Sequence, residues 1–94
     1  MILLSSEAVS DVERVRSFLE SKNPDAAKRA LRAIWAALER VDRFPELGRP
    51  TDDPDIRQIV IRFGAAGYIV RYRVLPETGD LFVTRIWHGR EVRA

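Results

Sequence analysis

The chain has 94 residues, 46% hydrophobic and 32% charged, with a formal net charge of +2. That balance belongs to one folded domain, 1–94, with a modest core, and excludes a disordered chain. The sequence has no cysteine, which excludes a disulfide scaffold and thiolate chemistry and fits a reducing, cytoplasmic setting.

No apolar run approaches the ~20 residues that span a bilayer, so no membrane partner is expected. Met1 to Ser5 is too short for a signal-peptide core and has no basic lead-in. The charge is unevenly placed. From Ile56 onward seven arginines face three acids (Glu77, Asp80 and Glu91), whereas nine basic and eleven acidic residues precede them. A basic C-terminal half points to an anionic partner, either nucleic acid or an acidic protein segment.

Ile2-Leu3-Leu4 is a short apolar strand candidate. Ser5 or Ser6 can cap a following helix, with Glu7 in its first turn, where the helix dipole favours negative charge. Ala8, Val12, Val15 and Leu19 repeat with helical spacing and form one apolar stripe. Asn23-Pro24 restarts the chain, since Asn caps well and Pro suits the first helical position. Ala27, Leu31, Ile34, Leu38 and Val41 form a second stripe. Two amphipathic helices joined by a short link predict an antiparallel hairpin. Phe44 to Pro50, with two prolines and a glycine, ends the second helix. Asp52, Asp53 and Asp55 lie in a loop bounded by prolines and without His or Cys. Turn chemistry explains them better than a metal site does, and neither metal nor cofactor is expected.

Ile56 to Phe63 reads as a strand, with Ile59, Ile61 and Phe63 on one face. Gly64 to Gly67 is a small-residue turn. Tyr68, Val70, Tyr72 and Val74 then alternate with Ile69, Arg71 and Arg73, so one surface suits a core and the other carries arginine. Pro76 to Asp80 turns the chain into a last strand, Leu81 to Glu91, which brings Arg85, His88 and Arg90 close together in sequence. The predicted order is β-α-α-β-β-β. The class is α+β: an antiparallel sheet, joined by the first strand, packed on one face by the N-terminal helix hairpin and left partly open and cationic on the other.

This order, together with its motifs, resembles the RelE/ParE superfamily, the toxins of bacterial type II toxin–antitoxin modules. The resemblance spans nearly the whole chain. It is carried by Ser6-Glu7-Ala8 and Asp11, Asn23-Pro24 with Ala26-Ala27, and Pro45-Glu46-Leu47-Gly48-Arg49. Ile56-Arg57-Gln58-Ile59-Val60, Tyr68 to Val74, and Arg85-Ile86-Trp87-His88-Gly89-Arg90-Glu91 complete it. The strand beginning Ile-Arg, the Tyr-x-x-x-Tyr-Arg-Val strand and the terminal His-x-Arg are most similar to the ParE branch, the plasmid-stabilisation type.

The resemblance implies a growth-arresting toxin neutralised by a cognate antitoxin. ParE-like members inhibit DNA gyrase; RelE-like members are ribosome-dependent mRNA endonucleases. For either partner, target or antitoxin, the binding candidates are Arg57, Arg62, Arg71, Arg73, Arg85, His88 and Arg90. No small-molecule substrate is implied.

A nuclease acting through the 2′-hydroxyl needs a base, an acid and cations around the phosphorane. Arg62, His88 and Arg90 are the candidates for that chemistry, and Arg62 and Arg90 resemble the sheet and C-terminal arginines of RelE-like enzymes. Against it, no tyrosine follows Tyr72, and Glu91 stands where the family often has a second Arg. His88 has an equally good structural reading, as a strand-end side chain bonded to the backbone or to Glu91. Trp87 reads as a packing or interface residue.

Overall fold

The computed structural model describes residues 1–64 and 67–90. Glu91, and the Ala65-Ala66 part of the predicted turn, lie outside these residues. Strand β1 (Ile2–Leu4) leads into helix α1 (Ser6–Lys22) and helix α2 (Pro24–Arg43). A single 3-10 turn (Pro45–Leu47) precedes strands β2 (Arg49–Pro50), β3 (Arg57–Ile61), β4 (Tyr68–Val74) and β5 (Leu81–His88).

Both helices start where the sequence supplies caps. The Ser5 hydroxyl accepts from the Ala8 N–H at 3.0 Å, and the Asn23 side chain accepts from Asp25 and Ala26 at 3.0 and 3.2 Å. Each cap satisfies amide donors that the first turn leaves without a helical partner. The expected stripes face inward. Ala8 and Val15 of α1 and Ala27, Ile34, Leu38 and Val41 of α2 are buried, as are Val70, Tyr72, Val83 and Ile86 of the sheet.

The sheet has five strands in the order β1-β5-β4-β3-β2. It differs from the expected antiparallel sheet in two ways. First, it is mixed: β1 runs parallel to β5, with Ile2, Leu3 and Leu4 opposite Leu81, Phe82 and Val83. A parallel pair needs a long crossover, and here everything from α1 to β4 lies between the two strands. Second, the segment expected only to end α2 contributes β2, which pairs Arg49 with Gln58 and Pro50 with Arg57. In the acidic loop that follows, Asp53 accepts from the Asp55 N–H at 2.9 Å, an Asx turn.

A bulge interrupts the pairing of β4 with β5. Arg71 lies opposite Arg85, but the next residue, Tyr72, lies opposite Val83, which leaves Thr84 unmatched. The extra residue shifts the inward alternation of β5, so that Leu81 and Val83 face the helices before it and Ile86 does after it.

Tyr72 pins the chain after α2. Its hydroxyl donates to the Pro45 carbonyl at 2.6 Å and accepts from the Gly48 N–H at 2.8 Å. Gly48 has an ordinary extended conformation (φ −75°, ψ 153°), so its size matters rather than its backbone freedom: a methyl group there would run into the Tyr72 ring and hydroxyl. Tyr72→Phe leaves a buried donor and acceptor unpaired and is expected to lower unfolding free energy by about 1–3 kcal/mol, measured by denaturant titration. Gly48→Ala should also destabilise, and by less in the Tyr72→Phe background, where the nearest clashing atom is gone. Additive costs in that double-mutant cycle would refute the contact.

Candidate functional site

The seven candidate side chains do not share one surface. Arg71 and Arg73 stand on the sheet face away from the helices, as the alternation of β4 requires. Arg57 lies opposite Tyr72, on the helix side, and its guanidinium donates to the Gly48 carbonyl at 2.7 Å. Arg62 follows β3 and is exposed. His88 lies opposite Tyr68, also on the helix side, with the two rings edge-to-face at 5.3 Å. The His88 Nδ1 accepts from the Arg90 N–H at 3.2 Å. The expected single cationic front is therefore divided: the alternation of β3 puts Arg57 on the helix side with Ile59, and the bulge in β5 lets Arg85 turn to α1 while Arg71 opposite it stays on the open face.

On the open face, Arg71 is held in place. Its Nε donates to Gln58 at 3.0 Å and its guanidinium lies 5.1 Å from the Trp87 ring centroid, a cation–π arrangement. Two residues on, the Arg73 Nε is buried with no hydrogen-bond partner among the described residues. Val60, Ile69 and Trp87 form a cross-strand apolar row beside Arg71, and Val60 is 60% exposed.

Arg85 is engaged inside the molecule. Asp11 of α1 is 2% exposed. Its carboxylate accepts from Arg85 Nε (2.8 Å) and Nη2 (3.1 Å), from Arg14 Nη1 (2.7 Å) and from the Ile86 N–H (2.8 Å). Arg14 also donates to the Ile86 carbonyl at 3.2 Å. Burial alone would raise the Asp11 pKa, but the bonds from Arg85, Arg14 and Ile86 outweigh it and lower the value to about 2. The sequence reading missed Asp11 and Arg14 as organising residues. The signal was present: Asp11 shares the buried stripe of α1 with Ala8 and Val15, and a carboxylate on an apolar stripe calls for a partner.

Beside this ion pair, a cleft of about 470 Å³ opens between α1 and the ends of β4 and β5, lined by Arg14, Val15, Phe18, Tyr68, His88 and Arg90. It is largely apolar, with cations at its rim. A second apolar groove, of about 410 Å³, runs between the two helices and includes Val9, Val12, Leu31 and Trp35. Val9 is 53% and Trp35 48% exposed. No helix among the described residues is long and apolar enough to cross a membrane.

The comparisons with known proteins agree with this architecture. The model of the ParE toxin of the type II toxin–antitoxin system parDE matches residues 2–93. Two relatives come from Caulobacter vibrioides. Toxin RelE1 is 39% identical over 98% of this chain and 96% of its own length; Toxin RelE3 is 33% identical over 96% and 95%. Among solved structures, the chromosomal ParDE system of P. aeruginosa superposes with a TM-score of 0.75 at 17% identity, covering 93% of this chain and 92% of that one. The intact E. coli RelBE toxin–antitoxin complex gives 0.66 at 19%, covering 99% and 98%. The fold and these matches define a toxin of the RelE/ParE superfamily. The chain belongs to the ParE toxin family of type II toxin–antitoxin modules.

The lowered pKa of Asp11 makes a signed prediction. A carboxylate at about 2 in the folded state, against an ordinary 3.8, contributes stability that is complete above about pH 4 and lost as pH falls through 2, amounting to about 2 kcal/mol. Asp11→Asn leaves Arg85 without its counter-charge and should cost about 3–5 kcal/mol at neutral pH. Its unfolding free energy should also vary less between pH 4 and pH 2 than that of the parent. Equal slopes for the two proteins in chemical denaturation would show that Asp11 does not carry this acid sensitivity.

Proposed function

We propose that this toxin arrests growth by binding a protein target, DNA gyrase, rather than by cleaving RNA, and that a cognate antitoxin silences it. The observation that carries this is how the candidate nuclease groups are held. Ribonuclease chemistry needs a base and an acid placed around one phosphate. Here His88 and Arg90 do share the cleft beside α1 with Arg14, but His88 packs edge-to-face on Tyr68 with its Nδ1 accepting from the Arg90 backbone, Arg85 is bound by Asp11, and Arg62 and Arg71 are on other surfaces. The sequence has no tyrosine after Tyr72. Arg71, held over the Trp87 ring, and Arg73 beside it suit recognition of carboxylates on a protein surface. The match to the ParE family model favours the same target.

An antitoxin partner is supported by the titles of the two solved neighbours, one a ParDE system and the other an intact toxin–antitoxin complex. The exposed groove around Val9 and Trp35 is apolar surface of the kind a protein partner covers. One observation favours the rival, ribosome-dependent endonuclease: both Caulobacter relatives carry the name RelE.

Two assays in parallel separate the readings. Purified toxin added to a gyrase supercoiling reaction is expected to inhibit it and trap cleavage complexes, and translating ribosomes given the same toxin should keep their message intact. Cleaved message with normal supercoiling would overturn the proposal. In inducible expression, the Arg71→Ala/Arg73→Ala double variant should lose growth arrest, whereas His88→Ala should retain it. Both variants should unfold within about 1 kcal/mol of the parent.

A further inference from the structure

Helix α2 has a second face, turned away from the core, that the packing of one chain leaves unused. Lys28, Arg32, Trp35, Glu39 and Asp42 recur at i, i+4, i+7, i+11 and i+14, the spacing that keeps side chains on one side of a helix. Lys28, Arg32 and Glu39 are exposed and Asp42 is half-buried. Trp35, at the middle of the row, is 48% exposed. Two hollows meet at its indole. One is the apolar groove of Val9, Val12 and Leu31 described above. The other, of about 560 Å³, includes Met1, Ile2, Glu39 and Asp42.

The charges on this face are sorted. Both cations precede Trp35 and both acids follow it. Helix stability does not account for that order. Lys28 and Arg32 are like charges four residues apart, and Glu39 and Asp42 are like charges three apart, which weakens a helix. Asp42 also sits in the last turn, where the dipole disfavours an acid. Lys28, Arg32 and Glu39 form no ion pair among the described residues. Asp42 lies 3.8 Å from the Met1 amine, whose nearer partner is Asp80 at 3.1 Å.

A row that is basic at one end, acidic at the other and aromatic at its middle is complementary to itself when two copies lie antiparallel. A two-fold axis beside Trp35 sets Arg32 against Glu39 of a second copy and Lys28 against its Asp42, each pair occurring twice. The two indoles meet at the centre. Ala36 beside them is small and exposed, so the helices can approach closely. A parallel arrangement would set like charge against like. A partner segment of one sign would meet its own charge over half of the face.

We propose that this face of α2 is a self-association surface, through which two copies of the toxin pair antiparallel with Trp35 at the centre and the Arg32–Glu39 and Lys28–Asp42 pairs at the rim. An aromatic centre within a charged rim is the usual anatomy of a protein interface. In the toxin alone, the second copy covers apolar surface that is otherwise left for a different protein. The test needs neither gyrase nor growth arrest, so it stands or falls apart from the proposed target.

The measurement is analytical ultracentrifugation of the purified full-length toxin over a range of concentrations. A monomer–dimer equilibrium is expected, weakened by added salt. Arg32→Glu or Glu39→Arg alone sets like charges together twice and should raise the dimer Kd by about tenfold or more. The double exchange Arg32→Glu/Glu39→Arg should bring Kd back to within about threefold of the parent, which antiparallel pairing allows and parallel pairing does not. Trp35→Ser should leave the toxin monomeric. Should that variant fail to fold, the charge exchanges, both at exposed positions, still decide. A toxin that is monomeric at every concentration would overturn the proposal and leave this face to another protein. So would a dimer indifferent to the single reversals, or one that the double exchange fails to restore.

Discussion

The carboxylate of Asp11 is the constraint on which the remainder of this small toxin depends. Strand β1 is three residues long, too short to cover β5, so the second half of β5 would otherwise expose unpaired backbone. Asp11 and Arg14, one helical turn apart, replace the missing strand at Ile86, and Arg85 supplies the counter-charge. A buried carboxylate is tolerable only with this many donors. The same contacts fix α1 against β5 and set the wall of the cleft beside Tyr68, His88 and Arg90.

This constraint also sorts the arginines. Arg85, which would otherwise join Arg71 on the open face, is drawn to the helix. Arg57 supports the chain at Gly48. What remains for a partner is Arg71 and Arg73 on the open face, and Arg62 and Arg90 in exposed positions past the ends of β3 and β5. Arg71 is preorganised by Gln58 and Trp87, so a partner has less side-chain entropy to overcome when it binds there. The bulge at Thr84 lets one strand serve two purposes, filling the core with Leu81, Val83 and Ile86 while turning Arg85 toward α1.

Similarity to ParDE and RelBE chains at under 20% identity shows how little sequence this topology requires. It needs two capped amphipathic helices, apolar alternation on β4 and a fixed return of β5 beside β1. Gyrase inhibition and ribosome-dependent cleavage both occur on such a frame, so the fold alone does not choose between them. That choice lies in which side chains a surface brings to one point.

The amino-acid sequence by itself determined the helices, their caps, the β4 alternation and the family, because capping residues and apolar periodicity act over a few neighbouring positions. It also placed Arg71 and Arg73 on the open face, since the period of a regular strand allows nothing else. Only the tertiary structure decided the parallel docking of β1, the short β2, the removal of Arg85 to Asp11 and the turning of His88 toward Tyr68. Those outcomes depend on a one-residue bulge and on contacts between residues more than seventy positions apart, such as Asp11 with Arg85. A strand's periodicity carries no record of a residue inserted into its pairing, nor of which distant side chain will complete its edge.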